Sequence, residues 1–186
     1  MTPQRKDAAR NWEHIVAVAR ELVDEGTPLQ LNDVARRAGL GVGTVYRHFP
    51  TTEALLETVA TPCLEALASQ GEQGLSHDDA WEAFASFLAK IVEGQVTDPA
   101  LVKVSAAAQD VLPRTTELKT QIMSNGAKLL TKAREAGAVR ADLDDADIVP
   151  LMCGIAYATY VHGDNPDDRL PTARRYLETL LRGLRA

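Results

Sequence analysis

The chain has 186 residues, 45% hydrophobic and 25% charged, with a formal net charge of −6. This is an ordinary globular composition, which excludes bulk disorder and a fibrous repeat. Residues 1–50 carry seven Lys or Arg against six Asp or Glu, and the remainder thirteen against twenty. The acidity therefore lies in the C-terminal part, leaving a balanced N-terminal part able to meet an anionic polymer if its basic side chains share one face.

In chain order, Trp12, Ile15, Val16, Ala19, Leu22 and Val23 follow helical spacing and predict an amphipathic helix ending at Gly26. Leu31, Val34, Ala35 and Ala38, then Gly39, then Val45 and Phe49 predict two very short helices around a glycine turn. A longer helix is expected from Thr52 to about Gln70, ended by Gly71 and Gly74 and bent at Pro62, whose missing N–H frees the carbonyl of Thr58. Further helices are expected over 78–96, from Pro99 through Gln109, from Pro113 to Gly137, after the acidic run Asp142, Asp144, Asp145, Asp147, and from Pro171 to the end. No stretch sustains a period of two with β-branched enrichment. The reading is all-α with about nine helices, divided into an N-terminal domain over 1–51 and a C-terminal domain over 52–186.

Residues 31–49, LNDVARRAGLGVGTVYRHF, meet the requirements of a helix-turn-helix. Ala35 is small where the second helix crosses, Gly39 supplies the turn, and Leu40, Val45 and Phe49 fill the angle between the helices. That arrangement turns Val42, Gly43, Thr44, Tyr46, Arg47 and His48 outward. A buried helix would need apolar residues at these positions. Hydroxyl, imidazole and guanidinium groups suit phosphate oxygens and base edges in the major groove of double-stranded DNA.

The stretch from Arg10 to Leu56, above all VARRAGLGVGTVYRHFPTTEALL, resembles the DNA-binding domain of TetR/AcrR-type transcriptional regulators. The resemblance implies a homodimeric, ligand-responsive regulator, a repressor released from a palindromic operator by a small-molecule effector, without enzymatic activity or cofactor. It places Thr44, Tyr46 and His48 on phosphates or base edges and Val42 and Arg47 on the recognition surface. Asn32 and Arg36 or Arg37 are expected to reach the same groove from the preceding helix. Two positions depart from the family pattern: Gly41 where a capping Ser is frequent, and Thr52 where a Lys or Arg often starts the next helix. Both leave room for the rival reading of a ligand-binding or adaptor module that no longer reads DNA. Arg5, Lys6 and Arg10 are read either as a compensating basic arm or as a solvated terminus.

The middle helices supply candidates for an amphipathic or hydrophobic ligand: Trp81, Phe84, Phe87, Met123, Met152, Cys153, Tyr157 and Tyr160, with His162 beside the tyrosines. Taken singly, each is better explained as plain core, and it is the set together that suggests a pocket. Ile155 and Thr159, with Leu177, Leu180, Leu181 and Leu184 of the last helix, are expected to pair with their symmetry mates as a four-helix dimer interface, eased by the small residues Gly154, Ala156 and Ala158. The acidic run lacks the central glycine and closing glutamate of a calcium loop and reads as N-capping charge. Cys63 and Cys153 are read as buried structural thiols, and the four histidines show no metal-ligand spacing. No nucleophile or acid–base constellation suggests catalysis. With no apolar run near the roughly 20 residues that cross a bilayer and no apolar core behind Met1–Arg10, no membrane partner and a cytoplasmic location are expected.

Overall fold

The computed structural model describes residues 3–162 and 166–186, with the side chains of 6–161 and 168–186. Arg5 and His162, singled out above, have side chains outside that set. The described residues form nine helices: α1 (Pro3–Asp24), α2 (Leu31–Ala38), α3 (Val42–His48), α4 (Thr52–Leu75), α5 (Ala80–Thr97), α6 (Pro99–Ala106), α7 (Pro113–Glu135), α8 (Asp145–His162) and α9 (Pro166–Leu184). Their only β pairing is an isolated bridge between Val139 and Arg185. It is flanked by bonds from Arg140 N to Leu184 O and from Ala186 N to Ala138 O, which pin the end of the chain. Among the described residues no helix is long and apolar enough to cross a membrane.

The chain divides into two compact units. The first comprises residues 1–62 and 99–115, the second 63–98 and 116–186. The expected boundary after residue 51 thus lies inside the first unit, α4 passes from one unit to the other at Pro62, and the segment 99–115 returns to the first.

In the first unit Ile15, Ala19 and Val23 of α1, Val34 and Ala35 of α2, Val45 of α3 and Leu55 of α4 are buried, as are Ala100, Leu101 and Val104 of α6. Arg20 of α1 donates to the Val59 carbonyl of α4 at 2.6 Å. Glu57 of α4 is buried as well. Its two carboxylate oxygens accept from the backbone N–H groups of Val111 and Leu112, at 2.6 and 2.8 Å. A buried carboxylate needs such partners, and these two N–H groups stand just before α7, where they lack partners of their own.

The second unit is built on α5, α8 and α9, which pack on one another around Phe84, Phe87, Leu88, Leu129, Leu130, Met152, Ala173 and Leu177. Caps define the starts of two of its helices. Asp79 accepts from Glu82 N at 2.9 Å, and that bond holds its carboxyl below the ordinary range. At α8, Asp144 accepts from Ala146 N at 3.0 Å while Asp147 accepts from Asp144 N at 3.1 Å, so the acidic run caps the helix as its sequence suggests. Arg134 of α7 pairs with Asp145 and also donates to the Leu143 carbonyl.

Several helix boundaries differ from the sequence expectation. The helix that begins at Thr52 is not ended by its glycines but continues to Leu75. The reason is packing: a Cβ added at Gly71 would lie 2.8 Å from Asn125 Cβ and 3.0 Å from Phe87 Cε2, so hydrogen is the only side chain that lets α7 and α5 approach. Asn125, itself buried, donates to the Ala68 carbonyl at this crossing. Gly71→Ala is therefore expected to destabilise the fold by about 1–2 kcal/mol despite alanine's better helix propensity, read as a lower urea midpoint at unchanged slope. The last helix likewise starts at Pro166, with Pro171 inside it. The thiols also differ from expectation: Cys63 is half-buried and Cys153 exposed, because Cys153 lies on a face of α8 that the protomer does not cover.

Candidate nucleic-acid interface

The α2–turn–α3 corner is built from its smallest and most apolar residues. Gly39 terminates α2 in the left-handed region at φ 65°, and Leu40 N bonds back to Ala35 O at 3.0 Å. Ala35, Val45 and Phe49 are buried where the helices cross. From α1, His14 Nε2 lies 3.1 Å from the Ala38 carbonyl at the end of α2, and Trp12 stacks on Phe49 with ring centroids 6.1 Å apart. α3 is preceded at its N-cap by Gly41, which has extended backbone and offers no side-chain cap. α4 then starts under Thr51, whose hydroxyl accepts from Ala54 N at 3.1 Å.

This frame leaves one face of α3 to solvent. Val42 and Tyr46 are each 47% exposed. Gly43 and Arg47 are exposed, Thr44 and His48 half-buried, and Asn32 on α2 is exposed. Thr52, at the first turn of α4, is half-buried. The residues assigned to the recognition surface thus lie on one short helix and its approach, apart from Arg37.

Arg37 is turned back onto α1. Its guanidinium donates to both Glu25 oxygens at 2.7 and 2.5 Å and to Glu21 at 3.4 Å. Those bonds hold the Glu25 carboxyl below its ordinary range and raise Arg37. A depressed carboxyl pKa means that the tie is complete above the normal carboxylate range and is lost as pH falls through the acid range. Both groups are partly exposed, so its worth is small. Its geometric effect is to fix α2 on α1, not to present a charge to a groove. Arg36 pairs with Asp33 at 2.8 Å, and Arg10 lies 4.0 Å from Asp7. Arg47, by contrast, donates to the Thr44 hydroxyl at 3.3 Å on its own helix and is exposed to solvent.

Residues 15–59 match a family described as bacterial regulatory proteins, tetR family, and residues 79–186 match the transcriptional regulator SbtR-like C-terminal domain. The chain belongs to the TetR family of transcriptional regulators. It is 30% identical to a TetR transcription regulatory protein of Mycobacterium vanbaalenii of known structure, covering 99% of this chain and all of that one at a TM-score of 0.59. An uncharacterised HTH-type transcriptional regulator of Mycobacterium bovis, Mb2274c, is 29% identical over 161 residues, 84% of this chain and 83% of the relative. The HTH-type regulator SAR0097 of Staphylococcus aureus is 27% identical over 81 residues, and the match spans 42% of either chain. As in that case, the chain spans about two fifths of the length of the first curated relatives it matches, 42% and 38%.

In the C-terminal unit of this TetR-family chain the residues assigned to a ligand are dispersed. Phe84, Phe87 and Met152 are packed in the core. Met123 and Tyr157 are on the surface, 57% and 72% exposed. Tyr160 carries the Arg169 guanidinium over its ring at 4.6 Å. Trp81, beneath Arg185 at 5.3 Å, lines an open depression of about 380 Å³ between α5 and α9, with Ala85, Ala89 and Leu181.

The residues assigned to a two-fold interface divide in a similar way. Ile155, Leu177 and Leu184 are buried in the protomer's own core, and Thr159 is buried with its hydroxyl donating to the Ile155 carbonyl. Thr159, Leu177 and Leu184 are thus occupied within one protomer, whereas Ile155 also reaches the floor of an open groove between α8 and α9. Leu180 and Leu181 are half-buried. The apolar surface left open on α8 is the opposite stripe, Val149, Cys153, Tyr157 and Val161, which recur every four residues. Beside it runs an apolar groove of about 360 Å³ lined by Pro150, Leu151, Gly154, Ala158, Tyr176 and Leu180.

Proposed function

We propose that the protein is a homodimeric repressor in which two copies of α3 read a palindromic operator, and that a small amphipathic or hydrophobic effector taken up by the C-terminal unit lowers operator affinity. The observation that carries this reading is the outward face of α3: a seven-residue helix whose inner side is anchored by Val45 while Val42, Gly43, Tyr46 and Arg47 are left to solvent. A helix that served only packing would not spend most of its surface on water. The reading includes no catalytic role, and a cytoplasmic location follows from an operator on the genome.

Dimerisation is supported by the Val149–Cys153–Tyr157–Val161 stripe and the neighbouring groove, together an apolar surface of the kind that monomers rarely expose. A two-fold mate over this face supplies the second recognition helix, which must sit roughly one helical turn of DNA, about 34 Å, from the first. An effector acts only if it binds the conformation with wrongly spaced helices more tightly than the operator-bound one. The open depression beside Trp81 supports such uptake.

The test is selection of duplexes from a random pool, followed by binding isotherms at several salt concentrations. A palindromic consensus with salt-sensitive affinity is expected; recovery of no consensus at low salt sinks the reading in favour of a module that does not read DNA. Because Arg10, Arg36 and Arg37 are paired with carboxylates, the cationic footprint is small. Arg47→Ala is expected to lower the slope of log K against log salt by about 0.9 per lost phosphate contact, so by nearly two for a dimer.

A further inference from the structure

The recognition face has an apolar leading edge. Val42 is the first residue of α3 and is 47% exposed, although an isopropyl group gains nothing from water or from phosphate. Its neighbours Gly41 and Gly43 carry no side chains, and beyond the adjoining residues and the helix's own backbone nothing lies within 4 Å of a Cβ placed at Gly43. Over the first turn Val42 is therefore the one exposed side chain, since Thr44 is half-buried and accepts a hydrogen bond from Arg47, and Val45 is buried. In recognition helices of this kind the N-terminal residues meet base edges. Every major-groove edge presents hydrogen-bonding groups, and only thymine adds a methyl. Packing valine against a guanine, cytosine or adenine edge would desolvate donors or acceptors and return no bond.

We propose that Val42 reads the 5-methyl group of one thymine in each half-site, so that the operator is specified at this position by an apolar contact. The flanking glycines let the helix approach closely enough for that contact. This rests on the DNA-reading function proposed above and names the base it selects.

The experiment replaces each thymine of the selected duplex in turn by deoxyuridine, in both half-sites, which removes the methyl and keeps every hydrogen-bonding group. Affinities are measured by fluorescence anisotropy for the full-length protein and for Val42→Ala. Val42 is exposed and alanine is the better helix former, so the variant folds, as circular dichroism will verify. One symmetry-related pair of thymines should show a loss of about four-fold per half-site and about fifteen-fold for both, the worth of one buried methyl. Val42→Ala should be indifferent to deoxyuridine at that pair and unchanged elsewhere. Identical deoxyuridine profiles for the two proteins would overturn the assignment while leaving DNA reading intact. Failure to select any duplex would instead remove the function on which it rests.

Discussion

Glu57→Leu is expected to lower the unfolding free energy by about 3 kcal/mol. The carboxylate is 3% exposed and bonds the amides of Val111 and Leu112, residues 54 and 55 positions away in sequence. Leucine fills much of the same volume but leaves two N–H groups facing hydrocarbon, each costing about 1–3 kcal/mol where water cannot reach it. It also removes a negative charge from the approach to α7, where the helix dipole favours one. Glu57→Gln keeps the shape and one acceptor, so it should fall between the wild type and the leucine variant. Urea denaturation gives the magnitude, and hydrogen exchange gives the location: the amides of Val111 and Leu112 should lose protection ahead of those of α1. A leucine variant within about 0.5 kcal/mol of the parent would show that the two bonds contribute nothing net.

Placing aspartates at Tyr157 and Val161 together should abolish self-association and weaken operator binding by about 10²–10⁴-fold. Those side chains are 72% and 67% exposed in the protomer, so the substitutions cost little in the isolated chain. Under a two-fold mate they would put four carboxylates into an apolar contact, where unpaired charge is strongly unfavourable. Losing the link between the two reading heads turns one bivalent event into two independent ones, which is the origin of the factor in affinity. Sedimentation velocity reads the first effect and anisotropy the second. If the doubly substituted chain sediments like the parent, the dimer face lies elsewhere.

The helix-turn-helix was legible because its constraints are local. Gly39 at the turn and Val45 and Phe49 inside follow from spacing alone, and each occupies the place its spacing assigns. Arg37 was not legible in that way. Periodicity leaves it on an outer face of α2, and only the approach of α1 brings Glu25 within 2.5 Å of it. On α8 the difficulty is of another kind. The helix is apolar on nearly every side after its first turn, so a 3.6-residue period cannot tell the face toward α5 and α9 from the face toward solvent. Ile155 and Thr159 turned inward while Val149, Cys153, Tyr157 and Val161 turned outward. Gly71 and Gly74 read as helix enders because nothing in the local sequence announces that α5 and α7 require the missing Cβ. Glu57 carried no signal either, since its partners are backbone amides on a distant loop, which no side-chain pattern encodes.

The chain crosses between its two units at residues 62/63, 98/99 and 115/116. Its helix-turn-helix unit is consequently not a cassette that a single cut can release. A hybrid that grafts this head onto another sensor after Pro62 would discard α6 and the amides of Val111 and Leu112, leaving the Glu57 carboxyl without its backbone partners. Any workable chimaera must therefore transplant two stretches of chain and respect three splice points.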